Sequence, residues 1–378
     1  MKESKSFSVR RAVVVFLLAA FLYSAGAGVG GQSPAAQALE ASVLAQAQAP
    51  VAPSLDSSAQ GKAQPSAVKN PGSSAQAQVR AQDQSQLQSQ SQSQAQVRSQ
   101  TQPPGLSGEK AMEFVRAQVA FGPRPPGSAA LAKCRDWIKA RLEAFGYKVE
   151  DDAFDAAAPR EPVRMHNLIA RKGQGGKGVI ALASHYDTKL MEGMRFVGAN
   201  DAGSSTGLLL ELARVLAGRK SDVDTWFVFL DGEEAFEEWS SVDGTYGSRH
   251  LAQRWKQEDV AGRVRALILL DMIGDKNLDL YKEMNSTRWL SDLFWDTAVE
   301  IGLRNILSNY AAAMEDDHIP FLNAGIESVD LIDFNYGPEN SFWHTDADTL
   351  DKLSPESLEK VGRLVLAVLA KLQAKFSR

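Results

Sequence analysis

The chain has 378 residues, 44% of them hydrophobic, a formal net charge of −5 and a single cysteine, Cys134. That charge gives no electrostatic case for nucleic acid as a partner. One thiol excludes an intrachain disulfide, a cysteine-rich zinc site and an iron–sulfur cluster.

At the N-terminus Lys2, Lys5, Arg10 and Arg11 precede an apolar run from Ala12 to Tyr23, followed by small residues. This is the layout of a secretory signal peptide, cleaved after Ala27 or Ala38, which makes residues 1–38 a leader and the mature chain secreted or periplasmic, with no membrane attachment. The apolar run of roughly 12 residues is short of the roughly 20 that span a bilayer, against the alternative of an uncleaved anchor. No cysteine follows it, which excludes a lipoprotein. Residues 39–104 are mostly Gln, Ser, Ala and Pro. Such a segment cannot bury enough surface to offset the entropy of ordering it, so it reads as a disordered tether. Residues 105–378 are the folded part, long enough for one sizeable α/β core.

Within that part, helical spacing predicts helices over 108–121 and 128–145, with Gly146 as a stop. The apolar runs 167–171, 178–187, 225–234, 266–274 and 328–334 read as strands. Amphipathic segments at 203–217, 245–256, 286–302 and 355–374 read as helices. Apolar strands alternating with helices predict an α/β fold, with a mixed, mostly parallel central sheet and helices on both faces.

His185 and Asp187, Asp231 through Glu234, and Asp271 each follow the apolar stretch of a strand. In open α/β sheets that carboxyl edge is where ligands bind. "FVFLDGEEAFEEW" (227–239) sets two adjacent glutamates at the end of a buried strand. Burying both unpaired is costly, so a positive charge belongs beside them. Asp201 sits in "FVGANDAGSSTG" at a helix start, where an Asp is ordinarily a cap. His344 sits in "FWHTDADTL", and a histidine after a tryptophan is ordinarily structural.

Taken together, H-x-D, N-D-A-G, G-E-E, L-D-M-I-G and W-H-T resemble the zinc aminopeptidase and glutaminyl cyclase superfamily over roughly residues 108–375, the whole folded part. "DGEEAFEEWSSVDGTYGSRHLA" and "EDDHIPFL" look like its glutaminyl cyclase branch in particular. The resemblance implies one zinc per chain held by Asp201, Glu234 and His344, with an open fourth position. It implies a cis peptide bond after Asp201. It also implies Glu233 as proton shuttle, Asp271 and Asp316 as its positioning partners, and Trp239 and Trp343 as pocket walls. The implied reaction closes N-terminal glutaminyl residues of peptides or proteins into pyroglutamate, releasing ammonia, in an enzyme that acts as a monomer.

His185 and Asp271 correspond to residues that hold a second zinc in two-metal aminopeptidases, so a zinc exopeptidase is the competing reading. A non-enzymatic binding domain is a third, favoured by the Gln/Ser-rich segment but disfavoured by the complete ligand set. The sequence departs from animal cyclases at Ser184, where those carry cysteine, and at Asp330, where those carry histidine. Asp330 must therefore share a proton with Asp316 or accept from another donor.

Overall fold

The computed structural model describes residues 105–173 and 176–378. The expected leader and almost all of the expected tether lie outside the described residues. The described chain is a sheet sandwiched between two helical layers. Helices α1 (Gly108–Val119) and α2 (Ala129–Ala144) lead into an antiparallel pair, β1 (Lys148–Ala157) and β2 (Pro162–Arg171). Then come β3 (Val179–His185), α3 (Gly203–Leu216), β4 (Asp224–Leu230), α4 (Tyr246–Gln257) and β5 (Val264–Asp271). The remainder is β6 (Leu280–Glu283), α5 (Arg288–Glu300), β7 (Leu307–Ala312), α6 (His318–Asn323), β8 (Ser328–Ile332) and α7 (Pro355–Phe376).

The main sheet has six strands in the order β1-β2-β4-β3-β5-β8. Its β4-β3-β5-β8 part is parallel, and β2 joins β4 antiparallel through Leu168↔Phe229 to Ala170↔Phe227. β6 and β7 form a separate parallel pair. The sheet is thus mixed and mostly parallel, with helices on both faces, as the alternating runs predict.

The two layers follow from strand periodicity. On β3, Ile180 and Leu182 face the larger core with α1, α2, α3, α5 and α7, while Val179, Ala181 and Ala183 face α4 and α6. Trp255 of α4 is fully buried against Trp226 and Phe321, with ring centroids 5.8 and 5.5 Å away. Truncating such a residue to alanine costs about 3–5 kcal/mol. Ser107, Ser128 and Ser354 cap α1, α2 and α7, each accepting a backbone N–H with its side chain. Gly207 lets α3 press against α1, since a Cβ there would lie 2.5 Å from Val115 Cγ2. Among the described residues no helix is long and apolar enough to cross a membrane.

Several elements were not expected. β1 ("KVEDDAFDAA") is an edge strand, partly exposed along its length and acidic, so its residues carry no apolar signature. β6 and α6 are short, four and six residues, below the length at which periodicity can be read.

Candidate active site

β3, β4 and β5 end side by side, which brings His185, the Asp231–Glu234 turn and Asp271 to one edge of the sheet. The turn after β4 needs a glycine: Gly232 has φ +70°, and a Cβ there would sit 2.5 Å from Met165 Sδ. Asp187, fully buried, holds the two residues that follow. Its Oδ1 accepts the Glu233 N–H at 3.2 Å, and its Oδ2 accepts the Glu234 N–H at 3.3 Å.

Asp201 arrives from the turn before α3, and the Asp201–Ala202 peptide bond is cis, as the family resemblance implies. Buried Asp348 fixes that turn, accepting the N–H groups of Asn200 (2.8 Å) and Asp201 (3.2 Å) while Tyr336 donates its hydroxyl to it (2.7 Å). His344 comes from the loop before α7 with φ +52°, a strained value for a residue with a Cβ, found here at a functional edge. Trp343 stacks on its imidazole at 3.9 Å, and Phe196 meets it edge-on at 5.8 Å.

These elements converge. His344 Nε2 lies 3.1 Å from Glu234 Oε1 and 3.3 Å from Asp201 Oδ2. With metal–ligand bonds of about 2.0–2.1 Å, a tetrahedral zinc sets its donors about 3.3 Å apart. The trio Asp201, Glu234 and His344 therefore fits zinc in spacing and in donor chemistry. Without a metal, burial opposes charging His344, but Glu234 and Asp201 outweigh it and raise its pKa to about 9. Burial would raise the Asp201 pKa, yet His185 and His344 hold it well below the usual carboxylate range.

The other oxygen of Asp201 belongs to a second trio. His185 Nε2 is 3.2 Å from Asp201 Oδ1 and 3.3 Å from Asp271 Oδ1, and its Nδ1 is 3.4 Å from Asp187. Asp271 thus hydrogen-bonds His185 while its charge also reaches Asp316. Glu233 lies outside the ligand trio, with Oε2 3.9 Å from His185 Nδ1. Burial first, then the neighbouring Glu234, Asp316 and Asp317, push its pKa well above the usual range.

Asp316 is buried behind this edge, its pKa raised to about 7 chiefly by burial and then by Asp271. Asp330, fully buried beside Asp316 and His318, has its pKa pushed well up by burial and then by Asp316 and Asp271. Fully buried His318 approaches the pair, with Nδ1 4.0 Å from Asp330 Oδ2 and Nε2 3.2 Å from Glu283 Oε2.

The two tryptophans are placed differently. Trp343 lies against His344 of the candidate trio, while Trp239 stands 39% exposed on the loop after the glutamates. Asp243 ties that loop down, accepting the N–H groups of Phe236 (2.8 Å), Glu237 (2.9 Å) and Glu238 (3.1 Å). Sequence reasoning gave no role to Asp187, Asp243 or Asp348. The H-x-D spacing was a usable signal for the first, because alternate residues at a strand end can reach the same turn. Asp348 carries no local signal, since it acts on a backbone far away in sequence.

Residues 167–369 match peptidase family M28, and the chain belongs to that family. A glutaminyl-peptide cyclotransferase of Drosophila melanogaster is 31% identical, over 64% of this chain and 76% of the relative. An Acidobacteriales bacterium glutaminyl cyclase structure is 38% identical with a TM-score of 0.69, covering 72% of this chain and 97% of that one. A Zn-dependent exopeptidase of Parabacteroides distasonis aligns with a TM-score of 0.64 at 26% identity, over 71% of this chain and 99% of that one. Within family M28 the chain falls among the glutaminyl-peptide cyclotransferases.

Proposed function

We infer that the enzyme converts N-terminal glutaminyl residues of peptides or proteins to pyroglutamate, working with one zinc. The observation that carries this reading is the ligand trio Asp201, Glu234 and His344 lying beside a buried carboxyl, Glu233, that belongs to no trio. Zinc held there would supply Lewis-acid polarisation of the substrate's γ-carbonyl.

In the step itself the α-amine nitrogen forms a bond to the γ-amide carbon, and the bond from that carbon to the side-chain nitrogen breaks. Glu233 takes the proton the amine sheds and delivers it to the departing nitrogen, which leaves as ammonia. A carboxyl with a raised pKa suits both halves of that exchange. Because amine and amide belong to one residue, proximity supplies much of the rate enhancement and no external nucleophile is needed. Asp316, its pKa raised to about 7, faces Glu233 with a group that can donate or accept. Asp271 keeps His185 oriented toward Glu233. Trp343 and Trp239 wall the glutaminyl side chain and exclude water.

The deciding experiment is incubation of a Gln-Ala peptide and a Leu-Ala peptide with the zinc-loaded enzyme, read by mass. Loss of ammonia from the first, with the second intact, is the expected result. One observation favours the exopeptidase reading: His185, Asp201 and Asp271 form a second trio with the same spacing. Two tightly held metals per chain together with release of leucine would decide for it. The reading includes export, with residues 1–38 removed, which N-terminal sequencing of the mature chain tests.

A further inference from the structure

A groove of about 520 Å³ lies between α4 and α6, and its lining reaches the active-site region through Trp239 and Asp316. Its floor is apolar, made by Ala252, Ile319, Pro320 and Ala324. Gln253 on α4 and Asn323 on α6 place a side-chain amide on each wall, donors and acceptors suited to an extended peptide backbone. The groove's charge is also directional. Glu315 stands near the catalytic end, next to Asp316, and Lys256 stands at the far end of α4.

The two α4 cations that line the groove are not equivalent. Arg249 is committed, donating to the carbonyls of Gly244 (2.9 Å) and Val242 (3.1 Å) and lying over the Tyr246 ring. Lys256 is exposed and makes no ion pair with any described residue. From Thr245, just before α4, to Lys256 the helix rises about 16 Å at about 1.5 Å per residue. An extended peptide advances about 3.3 Å per residue, so that span holds roughly five residues. A substrate entering amine first meets Glu315 with its positive end and brings its later residues to Lys256.

We propose that this groove binds the four to five residues following the substrate's N-terminal glutamine, and that Lys256 selects a carboxylate at about the fourth to sixth position. The inference deepens the cyclase reading and rests on it. Beyond Trp239 and Asp316 the groove contacts only chain the reaction leaves unchanged, so that binding energy is shared by ground and transition states. The preference should therefore appear in KM, with kcat unaltered. An exposed pair of this kind gives about a two- to fivefold effect.

The test uses amidated heptapeptides Gln-Ala-Ala-Ala-Ala-Ala-Ala in which a single Glu replaces Ala at each of positions 2 to 6, with Gln replacements as neutral controls. KM should fall about two- to fivefold for Glu at positions 4 to 6, relative to its Gln control, and not at position 2. Lys256→Gln should abolish that difference while leaving turnover of Gln-Ala-amide as in the parent. Salt at about 0.5 M, which shortens the screening length to a few ångströms, should also abolish it. A pentapeptide with a free C-terminus, compared with its amide, shows whether a main-chain carboxylate serves as well as a side chain. Equal KM for every peptide, or a preference that survives Lys256→Gln, would overturn the groove and leave the cyclase reading standing. If no Gln-initiated peptide released ammonia, both would fall.

Discussion

Asp187→Asn is the most informative single change at the site. In the parent each Asp187 oxygen accepts one N–H, from Glu233 at 3.2 Å and from Glu234 at 3.3 Å, with the side chain fully buried. Asparagine keeps the shape but turns one acceptor into an NH₂ donor, so one of those N–H groups loses its partner and faces another donor. A hydrogen bond to a charged group contributes about 1.5–3 kcal/mol, so a loss near 2 kcal/mol is expected. For a domain of this size that lowers Tm by about 4–8 °C. The same change loosens the register of Glu234 against His344, a contact of 3.1 Å. Weakening the support of a metal ligand costs about 10–100-fold in affinity. Zinc affinity would be measured by chelator competition, and turnover at both limiting and saturating zinc. Activity should fall at limiting zinc and recover only in part at saturation, because Glu233 is displaced as well. A variant with the expected loss of Tm, but with zinc affinity and kcat within twofold of the parent, would show that Asp187 supports the fold and not the site.

Other outcomes follow from the same geometry. His344→Ala should remove zinc and activity together, whereas Glu233→Gln should retain zinc by metal analysis and lose most of its turnover; near-parental activity would remove Glu233 from the mechanism. Zinc uptake should release a proton, because His344 has a pKa of about 9 in the metal-free protein. Affinity should then rise about tenfold per pH unit between pH 7 and 9, and a flat profile would contradict the assignment of His344. In metal-free protein, Asp333, raised to about 7 by burial, contributes stability below pH ~4 that is lost as pH rises through 7. Asp333→Asn should flatten that decline in unfolding titrations.

What could be read from the sequence was whatever repeats along it or interrupts a pattern. The apolar stretches within 225–234 and 266–274 are broken by charged residues, and that interruption points to Glu233, Glu234 and Asp271. Asp201 and His344 have no such pattern. They were reached through the family resemblance, and the structure brings them within 3.3 Å of each other. The pairing of His185 with Asp271 also came through the resemblance, which matches them to the second-zinc ligands of two-metal aminopeptidases, and their atoms lie 3.3 Å apart. The roles of Asp348 and Asp243 depend on carboxylates receiving backbone N–H groups, contacts that leave no periodic trace. β1 escaped for a related reason, since an exposed edge strand has little need of apolar residues.

The backbone segments that carry two of the candidate zinc-binding side chains, Asp201 and Glu234, are themselves tied to the scaffold by protein groups. Asp348 grips the Asn200–Asp201 segment with Tyr336 behind it, and Asp187 grips Glu233 and Glu234. A zinc finger, by contrast, has no structure until its ion arrives. Here the apo chain should already hold an assembled cavity, so chelation and unfolding become separable events. Stripping the ion should leave a cooperative melting transition, lowered only by the mass-action share of zinc binding, and adding zinc back should restore turnover without a refolding delay.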